Sequence, residues 1–189
     1  MVYRQRGVKV NGKFSRVQVY KYVTKDRVLD IGDMLSLDPK RSKLSITLVE
    51  FDHHYKAKSR VKHYVDSDDF KLVCWDILNR QMTEWVDHKG TVHDGMPEAR
   101  VLTVKKDEKY RNPILIKIDN GVGEVIGAGA VKMVHQKESL TIFLPEFEAR
   151  KLALVVLDYI RQWETVNLRK RQEARAGTFQ ADQPNESAA

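Results

Sequence analysis

Tyr20, Tyr22 and Tyr64 recur at alternate positions among basic and polar residues, in the segments 16–22 and 60–64. In an extended chain, successive side chains point to opposite faces. The first segment therefore reads with Arg16, Gln18, Tyr20 and Tyr22 on one face and Val17, Val19 and Val23 on the other. The second places Arg60, Lys62 and Tyr64 opposite Val61, His63 and Val65. Tyrosine rings stack on unpaired nucleobases with little sequence preference, at roughly 1–3 kcal/mol per base. Interleaved arginine and lysine neutralise phosphates and release counterions. The plainer reading is of ordinary exposed strand positions, where tyrosine and arginine are common. Two basic, aromatic loops add to the same chemistry. One carries Tyr55 and Lys58, the other Lys109, Tyr110 and Arg111, and Lys117 and Lys132 follow on later strands as further phosphate contacts.

Other patterns that suggest chemistry are weaker. The glycines of Gly121–Gly129 have three residues after Gly123, so the dinucleotide fingerprint fails, and no phosphate-loop Lys-Ser or Lys-Thr follows. They read as bends or bulges in a curved strand. Glu50, Asp52 and His54 alternate on one strand face, yet a hydrolytic metal centre needs about three convergent ligands and an open position. They read instead as an exposed strand end. Cys74 is the single cysteine, which excludes an internal disulfide; on a helical stripe it reads as a small buried hydrophobe. The sequence therefore points to no enzyme, no metal and no cofactor.

The elements that position these residues come twice. Strand patterns at 15–23, 28–37, 44–51 and 60–65 lead to Asp66-Ser67-Asp68-Asp69, a strong helix start. Phe70, Val73, Cys74, Ile77 and Leu78 then form an apolar stripe. Strand patterns at 100–105, 114–118, 124–134 and 139–144 lead to Pro145 and a second helix, with Leu152, Val155, Val156, Tyr159, Ile160 and Trp163 along one face. Asp119-Asn120-Gly121 reads as a turn. The fold class expected is α+β: two tandem ββββα units whose antiparallel sheets pack around two central helices. The division is a basic flexible arm at 1–13, a first unit at 14–86, a linker at 87–97, a second unit with an extended helix at 98–176, and a disordered tail at 177–189.

A formal charge of +7 and a sequence pI near 9.4 suit a polyanionic partner. A hydrophobic content of 42% supports a packed core. No apolar run approaches the roughly 20 residues of a membrane helix, and the N-terminus lacks a signal-peptide core. The expectation is an intracellular protein, cytoplasmic or nucleoid-associated, with no membrane partner.

The segment Tyr110–Gly121, with Ala149-Arg150-Lys151-Leu152 opening the later helix, resembles the second part of a Pur-type repeat. Over about 14–163 the chain looks like the Whirly and Pur-alpha group of single-stranded nucleic-acid binders, although the Lys-Gly-Lys-Ala run of plant Whirly proteins is absent. The resemblance implies paired four-stranded sheets, each followed by a helix, and non-enzymatic binding of single-stranded nucleic acid, DNA favoured over RNA, with low sequence specificity. Tyr20, Tyr22 and Tyr64 would stack on bases, and Arg16, Arg60, Lys62, Lys117 and Lys132 would meet phosphates. The competing expectations are an assembly module that forms a homo-oligomer without nucleic acid and, less favoured, a metal-dependent nuclease.

Overall fold

The computed structural model describes residues 17–127 and 130–181. The chain is α+β, with two four-stranded antiparallel sheets and two helices. The first sheet is β1 (Gln18–Val23), β2 (Arg27–Met34), β3 (Lys43–Phe51) and β4 (Ala57–Asp66), in sequential order, with a 3-10 turn at Pro39–Arg41 between β2 and β3. Helix α1 (Ser67–Leu78) follows. The second sheet is β5 (Glu84–His93), β6 (Met96–Lys106), β7 (Ile114–Gly127) and β8 (Ala130–Leu144), and helix α2 (Glu146–Ala181) follows it. The basic arm at 1–13 and residues 182–189 of the expected tail lie outside the described residues.

The helices form where charge and periodicity agree. Asp66 supplies the extended N-cap of α1, and Asp68 and Asp69 place negative charge at the positive end of its dipole. The Asp66 carboxylate does not cap the helix; Lys43 and Lys89 take it instead. Phe70, Val73, Cys74 and Ile77 are buried along one stripe of α1, and Ala149, Leu152, Ala153, Val156 and Ile160 along one stripe of α2. The two helices pack on each other, tied by Lys71 Nζ to Glu164 Oε1 at 2.7 Å and, just past the end of α1, by Arg80 Nε to Glu146 Oε1 at 2.8 Å.

Both stripes and the inner faces of both sheets belong to one hydrophobic core. Rows of paired residues cross each sheet: Leu29, Leu48 and Val61 in the first; Leu102, Ile118 and Leu140 in the second. Polar bonds at the rim of this core fix its geometry. Tyr20 donates to Glu148 Oε2 at 2.9 Å and Tyr159 to Asp33 Oδ2 at 2.8 Å, joining α2 to the first sheet. His63, fully buried, lies 2.9 Å from Asp87 Oδ2, joining the two sheets. A carboxylate only accepts, so His63 Nε2 carries the proton and its buried Nδ1 is left without a partner.

Several expectations change. The 87–97 stretch is not a linker: β5 runs through most of it, and only Asp94-Gly95, both at positive φ, make the turn into β6. Its alternation was masked by polar residues facing inward, Asp87 and Lys89, which are matched by partners on the first sheet. Asn120-Gly121 is not a turn either. It lies within β7, where a Cβ on Gly121 would sit 2.1 Å from the His135 carbonyl oxygen. Close approach at a bulge, not positive φ, requires that glycine. The strands read at 114–118, 124–134 and 139–144 are in fact two long strands, Ile114–Gly127 and Ala130–Leu144, bulged at Asn120/Gly121, Val122/Gly123 and Val125/Gly127. Gly121, Gly123 and Gly127 thus stand at bulges, as expected of them, and Gly129 lies outside the described residues. Helix α2 continues past Gly177 to Ala181. Cys74 is buried in the core, which pushes its thiol pKa well up.

Candidate nucleic-acid interface

Cross-strand register defines what the first sheet shows on its outer face. One row is Gln18, Gly32, Ser45 and Tyr64; the next is Lys21, Asp30, Thr47 and Lys62; the third is Val23, Val28, Val49 and Arg60. The central strands contribute mostly short side chains, of which Gly32, Ser45 and Thr47 are buried, and the long cationic and aromatic ones rise from the edge strands β1 and β4. Lys62 Nζ stands 4.9 Å from the Tyr64 ring centroid, a cation–π distance. Gln18 donates to the Asp30 carboxylate. Arg60 and Lys21 are exposed.

Tyr20 and Tyr22 are not on this face, which corrects the sequence reading. They pair with Ile31 and Leu29 and point inward with them. Tyr20 is only 6% exposed, and Tyr22 packs against the core. The register shift between Gln18 and Tyr20 is the reason: a bulge takes up one residue and exchanges the faces of everything after it. Burial, reinforced by the hydrogen bond to Glu148, raises the Tyr20 hydroxyl pKa well above its ordinary value. The same shift exposes Lys21. Arg16 lies outside the described residues.

The second sheet repeats the arrangement. Tyr64 stands three residues before the first residue of α1, and Phe143 three before the first residue of α2. Phe143 faces outward between inward-facing Ile142 and Leu144, and its ring centroid lies 4.7 Å from that of Tyr110 in the β6–β7 loop. Lys117 and Thr103 lie on the same outer face in the neighbouring row, with Lys117 Nζ 2.9 Å from Asp119 Oδ2. Lys109 and Arg111 flank Tyr110 in the loop and are exposed. Phe143 was missed because a short apolar run reads as core throughout; the alternation about it was the available signal.

The remaining candidates lie apart. Tyr55 is exposed at the β3–β4 turn with φ +59, and Lys58 is 3.3 Å from Glu50 Oε2. Lys132 is paired in register with Glu124, at the far end of β8 from Phe143. The carboxylates of the suspected metal cluster are engaged otherwise: Glu50 with Arg27 and Lys58, Asp52 with the backbone amides of His54 and Lys56.

No family model, curated protein or solved structure matches the chain. Among the described residues no helix is long and apolar enough to cross a membrane.

A polar cluster where the sheets meet completes the electrostatics. Partial burial alone would raise the Asp66 pKa, but the ammonium groups of Lys43 and Lys89 outweigh it and hold the carboxyl below its ordinary value. Asp87 is likewise held low, against its own burial, by His63 and Lys89. Lys89, facing both carboxylates, has its pKa raised despite partial burial. These charges satisfy one another.

Proposed function

We propose that the protein binds single-stranded nucleic acid, without catalysis, on the outer faces of its two sheets. The observation that supports this best is the repeated placement of an outward aromatic residue before each helix: Tyr64 beside Lys62 and Arg60, and Phe143 against Tyr110 near Lys117. Single strands offer bare base faces to such rings, and their phosphates offer charge to the lysines and arginines around them. Tyr20 and Tyr22 have no part in this surface, because stacking needs a free ring face. In this reading the paired helices and the common core hold the two sheets from within, as rigid supports for shallow, low-specificity platforms. DNA is the favoured strand, as the sequence resemblance implies.

The test is a side-by-side titration of labelled single-stranded DNA, duplex DNA and RNA against the full chain at several salt concentrations. Single strands should bind more tightly than duplex, with affinity falling as salt rises. Equal affinity for single strand and duplex at every salt would refute stacking.

One observation favours a second reading, self-association through the helices. Leu72 and Trp75 on α1 are 67% and 59% exposed, and Phe147 on α2 is 74% exposed. Sedimentation of the full chain without nucleic acid decides it: a concentration-dependent dimer abolished by Trp75→Glu supports assembly, and a monomer at all concentrations rejects it.

A further inference from the structure

Beyond its last buried row the second sheet runs on past the core, and there a cavity of about 440 Å³ opens among β6, β7 and β8. The row Leu102, Ile118 and Leu140 is buried; the next row outward on the same face is Arg100, Asn120 and Glu138. Glu98 and Val122 form the row after that, with Met96 and Pro97 on one side and Lys137 on the other. None of these residues belongs to the platforms described above.

We propose that this cavity binds an uncharged planar heterocycle with an amide-like hydrogen-bonding edge, the chemistry of a nucleobase. Three observations carry the assignment. First, the Oδ1 atom of Asn120 is buried and has no hydrogen-bond partner. An orphaned carbonyl oxygen of this kind costs roughly 1–3 kcal/mol; it is shut off from the open cavity as the side chain stands, and a turn of the amide that brings it to a ring N–H or exocyclic amine there would remove that cost. An asparagine amide also matches the paired donor and acceptor of a base edge. Second, the lining is electrically balanced: Arg100 and Lys137 are offset by Glu98 and Glu138, with Arg100 Nη2 3.2 Å from Glu98 Oε2. A free phosphate or carboxylate would meet two carboxylates here, whereas a neutral ring would not. Third, Met96, Pro97 and Val122 give apolar walls, and the volume lies in the range of small-ligand pockets, about 300–1,000 Å³. The Arg100 guanidinium supplies a further flat surface of the kind on which bases stack.

The heterocycle has two sources, a free nucleoside or one base of a bound strand; only the second rests on the strand-binding reading. The experiment follows backbone amide signals of the isotope-labelled full chain during titration with adenosine, guanosine, cytidine and uridine, with ribose as the control. The expected result is a saturable shift confined to residues 96, 98–100, 120–122 and 137–138 for at least one nucleoside, and none with ribose. Asn120→Leu should weaken that binding about tenfold or more. Asn120→Asp, which keeps the side-chain shape, should alter the order of preference among nucleosides, and it decides the matter if the leucine variant disturbs signals across the whole chain. Competition by oligothymidylate, with none from an abasic strand, assigns the source to bound strands; absence of competition assigns it to free nucleosides. The proposal is overturned if no nucleoside gives a saturable shift, or if binding survives in both Asn120 variants unchanged. Nucleoside binding without strand binding would keep this site and remove the platform reading; strand binding without nucleoside binding would do the reverse.

Discussion

Replacing Tyr64 and Tyr20 separately with alanine sets the two faces of the first sheet against each other. Tyr64 stands on the outer face, partly exposed, with Lys62 over its ring. Its loss should cost about 1–3 kcal/mol of single-strand affinity, or roughly 5- to 150-fold. Stability should move little, because a ring that stays partly in water buries only part of its area on folding. Tyr20 is 6% exposed, sits in the core and donates to Glu148. Truncating a buried aromatic residue to alanine costs about 3–5 kcal/mol. In a chain of this size that lowers the melting temperature by about 6–20 °C. The folded fraction of Tyr20→Ala should still bind strands normally. Fluorescence anisotropy with labelled oligothymidylate gives the affinities, and urea and thermal unfolding followed by circular dichroism give the stabilities. If Tyr64→Ala binds as tightly as the unmodified chain, or if Tyr20→Ala stays fully stable and loses binding, the face assignment is wrong.

Other outcomes follow from particular contacts. Gly121→Ala should destabilise the second sheet by about 1–3 kcal/mol, since the new methyl meets the His135 carbonyl oxygen of the backbone; the urea midpoint measures it, and an unchanged midpoint would mean the bulge yields freely. Acid should weaken the fold through Asp66 and Asp87. Both carboxyls are held below the ordinary value of 3.8, so their stabilisation is complete above that pH and is lost as pH falls through the lower folded values. Lys43→Met should blunt that acid loss in pH-dependent unfolding. Alkali acts in the opposite sense. Tyr20 and Tyr159 are raised above 10.0, and Lys71 and Lys89 above 10.5, so their contribution is present below these values and fades as pH climbs past them toward the higher folded ones. Tyr159→Phe should lessen the loss above pH 10. Lys62→Ala should reduce the steepness of the salt dependence by about one phosphate contact, read from binding isotherms; an unchanged slope would remove Lys62 from the interface.

The doubled order of strands and helices was largely legible, because apolar alternation and helical stripes dictate it locally. Phe70 to Ile77 and Leu152 to Ile160 announce their helices, and Val61, His63 and Val65 announce the inward face of β4. What escaped depends on contacts that sequence spacing does not contain. One bulged residue before Tyr20 reversed the faces of β1, and no propensity marks a bulge whose partner strand is not yet known. The polar inward residues of β5 look like a linker until Asp66 and His63 are placed opposite them. Of the candidate interface, Gln18, Arg60, Lys62 and Tyr64 come together on one face, and Lys117 and Tyr110 on another. Phe143 joins them only once the register of β8 against β7 is known.

The bond from Tyr20 to Glu148 closes a loop of chain 128 residues long, and that from Tyr159 to Asp33 one of 126. During synthesis, then, the first sheet emerges long before the helix that covers its edge. Until α2 arrives, the inward side of β1 has no cover there, and its bulge has nothing to enforce it. The nascent first unit should therefore wait, partly open, as a client of whatever shields apolar surface near the ribosome, and a ribosome stalled before residue 148 should display a chain that proteases cut readily within β1.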